Sequence, residues 1–239
     1  VRDALEHLTR AKIMLLFLEQ NLVYFAIPKT GSTAFETALA DHCSLNYRDP
    51  PEYRHMNVRR YDFSFGKHVA REHKTYPERM AILRHPLDRV RSWYKYGRAA
   101  DQIDTENSTK NITFTQYVRD IIAGKPVAAG VGDQNYFCSD QKGNLAIDHL
   151  FAIEKPTPLL AFVKERLWQD VVLPQVNVSP EIDTSIDPAV AQEFVVARPE
   201  EFRLYYQVLE AGHLKTDVDR SYSGIEKQRA AKAASNSAN

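Results

Sequence analysis

The 239-residue chain predicts an α/β fold: a single domain with a central, mostly parallel sheet flanked by helices. Three observations lead there. Leu22–Ile27, Met80–Leu83 and His149–Glu154 are short, nearly unbroken apolar runs, the pattern of strands buried on both faces. Each run hands over to a segment with helical spacing, and strands alternating with helices build a parallel sheet covered on both sides. The composition, 44% hydrophobic and 26% charged, suffices for the core of one large domain, and no internal repeat or linker divides the chain.

Residues 1–20 read as an amphipathic helix packed on that domain, with Leu5, Leu8, Lys12 and Leu15 three or four apart. After the strand at 22–27 comes a loop at 28–33 and a helix at about 32–42, where Ala34 and Ala38, Phe35 and Leu39 are spaced i, i+4. Residues 44–66 are polar, aromatic and basic, and Pro50-Pro51 argues against regular structure there. This segment is either a solvated loop or a rim that recognises an anionic or sugar-like group through its Arg and Tyr side chains. Gly66 suggests a turn before Lys67-His68. The strand at 80–83 ends in Arg84-His85-Pro86, and proline fits the first turn of the helix expected over 86–98. Residues 101–113 read as loop, 114–123 as a short helix closed by Gly124, and 124–132 as a mobile Gly/Pro/Ala stretch. A turn at 140–144, the strand at 149–154 and helices at 158–167, 187–195 and 199–211 complete the domain, 1–215; residues 216–239 read as a disordered tail.

Balanced charge, Lys+Arg 31 against Asp+Glu 31, gives no case for nucleic-acid or membrane-surface binding, so any anion site must be local. The run Ile13–Leu18 is too short to span a bilayer. Cys43 and Cys138 lack metal or CxxC spacing and read as buried thiols, with a single disulfide the alternative.

The informative stretch is Pro28-Lys29-Thr30-Gly31-Ser32-Thr33. A strand, a glycine loop and a helix start together aim backbone N–H groups and a helix dipole at one point, which suits a phosphate or sulfate. Arg84 stands at a second junction of the same kind, and both can face one crevice at the carboxyl ends of the strands. The loop does not fit a triphosphate cradle, because Lys29 precedes Gly31 and no glycine stands upstream.

The first stretch resembles the 5′-phosphosulfate loop of sulfotransferases that use 3′-phosphoadenosine 5′-phosphosulfate (PAPS). Arg84-His85-Pro86-Leu87-Asp88-Arg89-Val90-Arg91-Ser92-Trp93-Tyr94 resembles the second signature of that family: an Arg ending a strand, a Pro, and a Ser eight residues after the Arg. His85 stands where the family more often has Asp, Glu or Asn. The likeness extends over about 20–210, and Ala34, where the cytosolic phenol and steroid enzymes usually have Trp, favours the bacterial and Golgi carbohydrate branch. The resemblance implies a P-loop-NTPase-like sulfotransferase fold. It implies that Lys29 contacts the oxygen bridging phosphate and sulfate, that Thr30, Gly31, Ser32 and Thr33 hold the 5′-phosphate, and that Arg84 and Ser92 hold the 3′-phosphate. PAPS would be the donor, its product PAP would be released, and the acceptor would be a hydroxyl, of a saccharide by this branch.

Sulfuryl transfer needs in-line positioning and charge stabilisation at the leaving oxygen, so no metal is demanded. A general base must take the acceptor's proton. His68, sixteen residues before Arg84, lies where carbohydrate sulfotransferases often carry a catalytic His. His55 and His73 are weaker candidates in the same interval, Glu36 and Glu72 are alternatives, and His85 reads as structural. Two other functions compete: a P-loop-like nucleotide kinase and a non-catalytic PAP- or PAPS-binding module. A bacterial cytoplasmic enzyme fits the compact length, with a Golgi lumenal domain as the alternative. Asn107, Asn111 and Asn177 head Asn-x-Ser/Thr triplets, too common by chance to decide the compartment.

Overall fold

The computed structural model describes residues 14–47, 55–103, 105–168, 170–173 and 181–218. In chain order these form β1 (Met14–Phe17), β2 (Leu22–Phe25), α1 (Ser32–Leu39), β3 (Leu45–Tyr47), α2 (Val58–Phe63), α3 (Phe65–His73), β4 (Glu78–Leu83), α4 (Pro86–Tyr96), α5 (Phe114–Ile122), α6 (Pro126–Ala129), α7 (Gln134–Cys138), β5 (His149–Ala152), α8 (Pro156–Leu167), α9 (Pro188–Ala197), α10 (Pro199–Ala211) and β6 (His213–Lys215). A one-turn 3₁₀ segment, Ala40–His42, extends α1.

The six strands form one sheet in the order β3-β1-β2-β4-β5-β6. The central strands β2, β4 and β5 pair in parallel, as expected, with Phe25 opposite Ala81 and Ala81 opposite Leu150. β1 lies antiparallel to β2 and β3, and β6 antiparallel to β5, so the sheet is mixed, with four strands sharing one direction.

Side chains alternate between the two faces with the period of a strand. Met14, Leu16, Val23, Phe25, Ala81, Leu83, Leu150 and Ala152 meet α2, α3 and α10 on one face. Leu15, Phe17, Leu22, Tyr24, Met80, Ile82 and Phe151 meet α1 and α8 on the other. Both faces are covered, which explains why these strands are continuous apolar runs rather than alternating ones. A third cluster, of Val90, Tyr94, Phe114, Val118, Val190 and Phe194, joins α4, α5 and α9 beside the sheet.

The helix expected over 1–20 is a strand where it is described, at Met14–Phe17. A short apolar run buried on all sides satisfies either period, and here the turn chemistry decides. Asn21 sits at φ 49, and its N–H bonds the Leu18 carbonyl at 3.1 Å, closing a hairpin onto β2. Residues 1–13 lie outside the described residues. The segment at 44–66, expected to be irregular, contributes β3 and α2, although 48–54 with its Pro50-Pro51 pair lies outside the described residues. α6 and α7 stand within and just after the stretch expected to be loop.

Thr216 still bonds the Asp148 carbonyl through its N–H at 2.9 Å, and Val218 is buried, so the folded unit continues past the expected boundary at 215. Residues 219–239 and 174–180, the latter containing Asn177, lie outside the described residues. Neither cysteine is in a disulfide: Cys138 is buried, and Cys43 is half-buried with its thiol on the Ala40 carbonyl at 3.1 Å. Among the described residues no helix is long and apolar enough to cross a membrane.

α4 ends against a tightly packed glycine. A methyl on Gly97 would lie 2.5 Å from the Asn107 carbonyl oxygen and 2.8 Å from Thr109 Cγ2. Helix propensity favours Ala over Gly by about 1 kcal/mol, but overpacking against backbone costs about 1–3 kcal/mol. We therefore expect Gly97→Ala to lower the thermal midpoint by about 2–5 °C, measured by calorimetry; a raised midpoint would show that the 105–109 loop yields freely.

Candidate active site

The carboxyl ends of β2, β4 and β5 open side by side on one edge of the sheet. The chain leaving β2 turns through Pro28–Gly31 into α1. Two backbone conformations make that turn: Lys29 at φ 68 and Gly31 at φ 78. Glycine adopts the left-handed region at no steric cost; lysine does so against a penalty of roughly 1 kcal/mol or more. Gly31 is also close to its neighbour, since a Cβ there would lie 3.1 Å from Ile153 Cδ1 at the end of β5. The loop thus rests on the third strand of the site. Thr30 is buried, and its hydroxyl donates to the Ile27 carbonyl at 2.9 Å, so it braces the turn. Ala34 and Phe35 make the first bonds of α1, to the Gly31 carbonyl. The N–H groups of Ser32 and Thr33 therefore precede the intrahelical ladder, at the positive end of the helix dipole. Ser32 is buried at this end.

Arg84 follows β4 directly, and its Nη1 donates to the Lys29 carbonyl at 3.3 Å. The two junctions singled out in the sequence thus meet in space. Two side chains hold the stretch after β4 in an extended form, as a neighbouring strand would. Gln134 accepts from the Arg84 N–H at 3.0 Å and donates through Nε2 to the Arg84 carbonyl at 2.8 Å. Glu154 accepts from the His85 N–H at 2.8 Å. Gln134 is only 1% exposed, and its own N–H donates to Glu201 Oε1 at 3.1 Å. Glu201 Oε1 also faces Arg89 Nη2 at 3.4 Å, while Arg89 donates to the carbonyls of Val131 at 3.0 Å and Gly132 at 2.7 Å. Burial presses the Arg89 guanidinium below its usual range and Glu201 opposes that, so the pair belongs together. A buried polar chain thus runs from α10 through α7 and α4 to Arg84. Sequence reading missed Gln134, Glu201 and Arg89 as supports.

His85, read from the sequence as structural, lies among aromatic rings. Its ring meets Phe202, Tyr205 and Tyr206 of α10 at centroid distances of 5.7, 5.3 and 6.1 Å. Tyr205 hydrogen-bonds Glu154, and burial raises its phenol pKa. Ser92 lies in α4, half-buried, immediately before Trp93. The Lys29 ammonium lies 3.5 Å from the Tyr96 ring centroid and 4.9 Å from that of Trp93.

The candidate bases separate by position. His68 is exposed on α3 and its ring faces Phe65 at 6.3 Å. The residues just before it, Gly66 and Lys67, line a small cleft with Tyr76, Pro77 and Arg79, at the end of β4 opposite Arg84. His73 is exposed at the end of the same helix. Glu72 is exposed and takes a hydrogen bond from Arg71 at 2.8 Å, which lowers its pKa, the wrong direction for a base. Glu36 is buried in α1. His55 is the histidine brought to the loop: its Nδ1 lies 2.7 Å from the carbonyl oxygen of Ala26, three residues before Lys29. A carbonyl can only accept, so Nδ1 carries the proton and Nε2 of the neutral ring is the acceptor.

A second cleft, of about 470 Å³, opens at the opposite end of the sheet, where Glu78, His149, His213, Arg166 and Trp168 contribute. Arg166 donates to Glu78 Oε2 at 2.5 Å, and His149 bridges Glu78 at 3.2 Å and His213 at 3.0 Å. Burial lowers both histidine pKa values. This cleft faces the amino ends of the parallel strands and contains neither signature.

The start of α1, the Lys29 loop with Arg84 bonded to its carbonyl, and His55 against the chain leaving β2 come together at the carboxyl ends of the parallel strands. A family model described as the sulfotransferase family matches residues 14–157, well over half of the chain, and the chain belongs to that family. It is an enzyme of sulfuryl transfer with the sulfotransferase fold. The comparisons with curated proteins and with solved structures returned no match.

Gln134 gives the site a stability test. Gln134→Leu strips both hydrogen bonds from the Arg84 backbone, at about 1–2 kcal/mol each. Urea unfolding should show a loss of about 2–4 kcal/mol. Gln116→Leu, which removes a half-buried bond to the Asp120 carboxylate of 2.8 Å away from any backbone support, should cost less, about 1 kcal/mol. Equal losses in the two variants would deny Gln134 its special place.

Proposed function

We propose that the chain moves a sulfuryl group from PAPS to an acceptor hydroxyl, that of a carbohydrate, by in-line displacement. One observation carries the reading: Arg84 donates to the Lys29 carbonyl, so two cationic junctions share one crevice. A doubly phosphorylated donor fits that pair better than a triphosphate does. The start of α1 and the hydroxyls of Ser32 and Thr33 would take the 5′-phosphate, and Arg84 with Ser92 the 3′-phosphate. What supports a carbohydrate acceptor is the first loop, with Ala34 in place of a tryptophan.

In the displacement the acceptor oxygen forms a bond to sulfur while the bond from sulfur to the bridging oxygen breaks. That oxygen keeps the bonding electron pair and leaves with PAP. Lys29 neutralises the charge developing there, where electrostatic stabilisation counts most. The proton of the acceptor hydroxyl passes to a base. We assign that role to His55 rather than His68. The support is the His55 contact with Ala26, in which Nδ1 donates to the carbonyl 2.7 Å away, just ahead of the loop.

Transfer of sulfate from labelled PAPS to a panel of oligosaccharides tests the activity, and thermal shift tests the donor. PAP should raise the midpoint where ATP with Mg²⁺ does not, since only a ligand that binds the native state stabilises it. Lys29→Ala should abolish transfer while PAP still binds. Arg84→Ala should weaken PAP by about tenfold or more, the scale of one lost charge-assisted contact. His55→Ala should lose about 10²–10⁴-fold in kcat together with the acid limb of the pH–rate profile, while His68→Ala keeps the full rate. Stabilisation by ATP and not by PAP would overturn the donor; a fully active His55→Ala enzyme would overturn the base.

A further inference from the structure

α2 follows His55, which meets the Ala26 carbonyl, and α7 carries Gln134, which holds the Arg84 backbone, so both helices begin beside the crevice. One arginine joins them. Arg59 of α2 donates from Nε to the Asp140 carbonyl at 2.7 Å, and its guanidinium carbon lies 3.9 Å from the centroid of the Tyr136 ring of α7. Arg59 is half-buried and Tyr136 is 53% exposed. The Asp140 carboxylate serves its own turn instead: Oδ1 accepts from the N–H groups of Lys142 at 2.8 Å and Asn144 at 2.9 Å, and Oδ2 from Asn144 Nδ2 at 3.3 Å. Among the described residues no carboxylate pairs with Arg59, and its Nη1 and Nη2 have no hydrogen-bond partner. Arg79, by contrast, is met by Asp62, and Arg89 and Arg198 are met by Glu201.

A guanidinium keeps its charge at any working pH, and its two terminal nitrogens present parallel N–H groups that match two oxygens of one anion. Here the Nε bond and the ring beneath hold the side chain in place before a ligand arrives, so little rotamer freedom is left to lose on binding. Tyr136 is two residues from Gln134 and Arg59 four from His55, separations of at most about 7 and 14 Å along the chain. The balanced overall charge supplies no long-range attraction for acidic ligands, so discrimination by charge must come from a local contact of this kind. We infer that Arg59, backed by Tyr136, sets acceptor specificity: it takes an anionic substituent, a carboxylate or a sulfate ester, on the saccharide whose hydroxyl is sulfated. The acceptor class is thereby an acidic saccharide rather than a neutral one. The inference rests on the transfer reaction proposed above, and the experiment separates the two.

Three oligosaccharides of one length serve as acceptors at saturating PAPS: one containing uronic acid, the same one with its carboxyl groups reduced to alcohols, and a neutral one carrying a sulfate ester. The uronic acid acceptor, the sulfated one or both should show a KM about tenfold or more below that of the carboxyl-reduced one, the scale of one charge-assisted contact. A preference for one of the two identifies which anion Arg59 takes. Arg59→Gln should raise the KM of the preferred acceptor about 10–100-fold while the carboxyl-reduced acceptor, kcat and the KM for PAPS stay within about twofold. Arg59→Lys, which keeps the charge and the stem but not the fork, should still raise that KM about 3–10-fold, and it serves where calorimetry shows that Arg59→Gln folds poorly. Equal KM values for acidic and neutral acceptors in the unmodified enzyme, or a rise in Arg59→Gln that is the same for both, would overturn the inference, and so would an Arg59→Lys enzyme with unchanged KM. Transfer to the neutral acceptor with Arg59→Gln indistinguishable from the parent would remove the inference and leave the PAPS reaction in place. A chain that moves no sulfate from PAPS to any of the three would overturn the reaction and the inference together.

Discussion

The parallel pairing of β2 with β4 is the constraint on which the rest of the molecule depends. Its register, Leu22 opposite Glu78 through Phe25 opposite Ala81, makes two remote stretches of chain leave the sheet side by side. One brings a lysine and a helix start, the other an arginine. Neither junction alone brings the two cationic residues together. A slip of one residue would turn every side chain of β2 to the wrong face, exchanging Val23 and Phe25 with Leu22 and Tyr24 between two differently packed cores. The same hydrophobic patterning that stabilises the sheet therefore fixes how Lys29 faces Arg84. β5 adds the third wall in the same way, through Ile153 under Gly31 and Glu154 under His85.

Beyond the end of β4 the ladder stops, and backbone groups that have lost strand partners must find others. Here side chains supply them. Gln134 serves Arg84 on both of its backbone groups, Glu154 serves His85, and Glu201 serves Gln134. A buried carboxylate such as Glu201 is tolerated only because Arg89 and a backbone N–H meet it. Such a network adds little net stability over an apolar core, but losing one member leaves its partner buried and unsatisfied. Its physical effect is to limit where the Arg84 guanidinium can go. This matters more for an anion site than for folding, because charge stabilisation requires donors that are already in place.

The site divides into what local sequence encodes and what topology assembles. The loop and the junction at Arg84 were legible because each is a short, contiguous pattern: an apolar run ending in a glycine turn, and one ending in Arg-His-Pro. The central strands and α4, α5 and α10 were legible from periodicity for the same reason. The supports were not. Gln134 is 50 residues from Arg84, and Glu201 is 112 from Arg89, and nothing in a run of sequence marks a glutamine as the partner of a distant backbone. β1 was misread because four successive buried residues fit a helix as well as a strand; Asn21, at the positive-φ position of the turn, was the available clue. Among the histidines, spacing from Arg84 favoured His68, but distance along the chain says nothing of which end of a strand a helix faces. His55 follows a segment rich in proline and tyrosine with no regular pattern, and only the fold reveals that it lies against Ala26.

Lys29 shows how these levels meet in one residue. Its backbone takes a conformation that lysine disfavours, and such strain persists only where the surroundings over-determine it. They do so from three sides: the Thr30 hydroxyl on Ile27 below, Gly31 pressed on Ile153 behind, and Arg84 on the Lys29 carbonyl in front. Its ammonium lies over the Tyr96 ring, 3.5 Å from the centroid. On the reading proposed above, in which Lys29 stabilises the leaving oxygen, the backbone conformation sets the point that the ammonium can reach, so the fold of the loop decides where that charge can act.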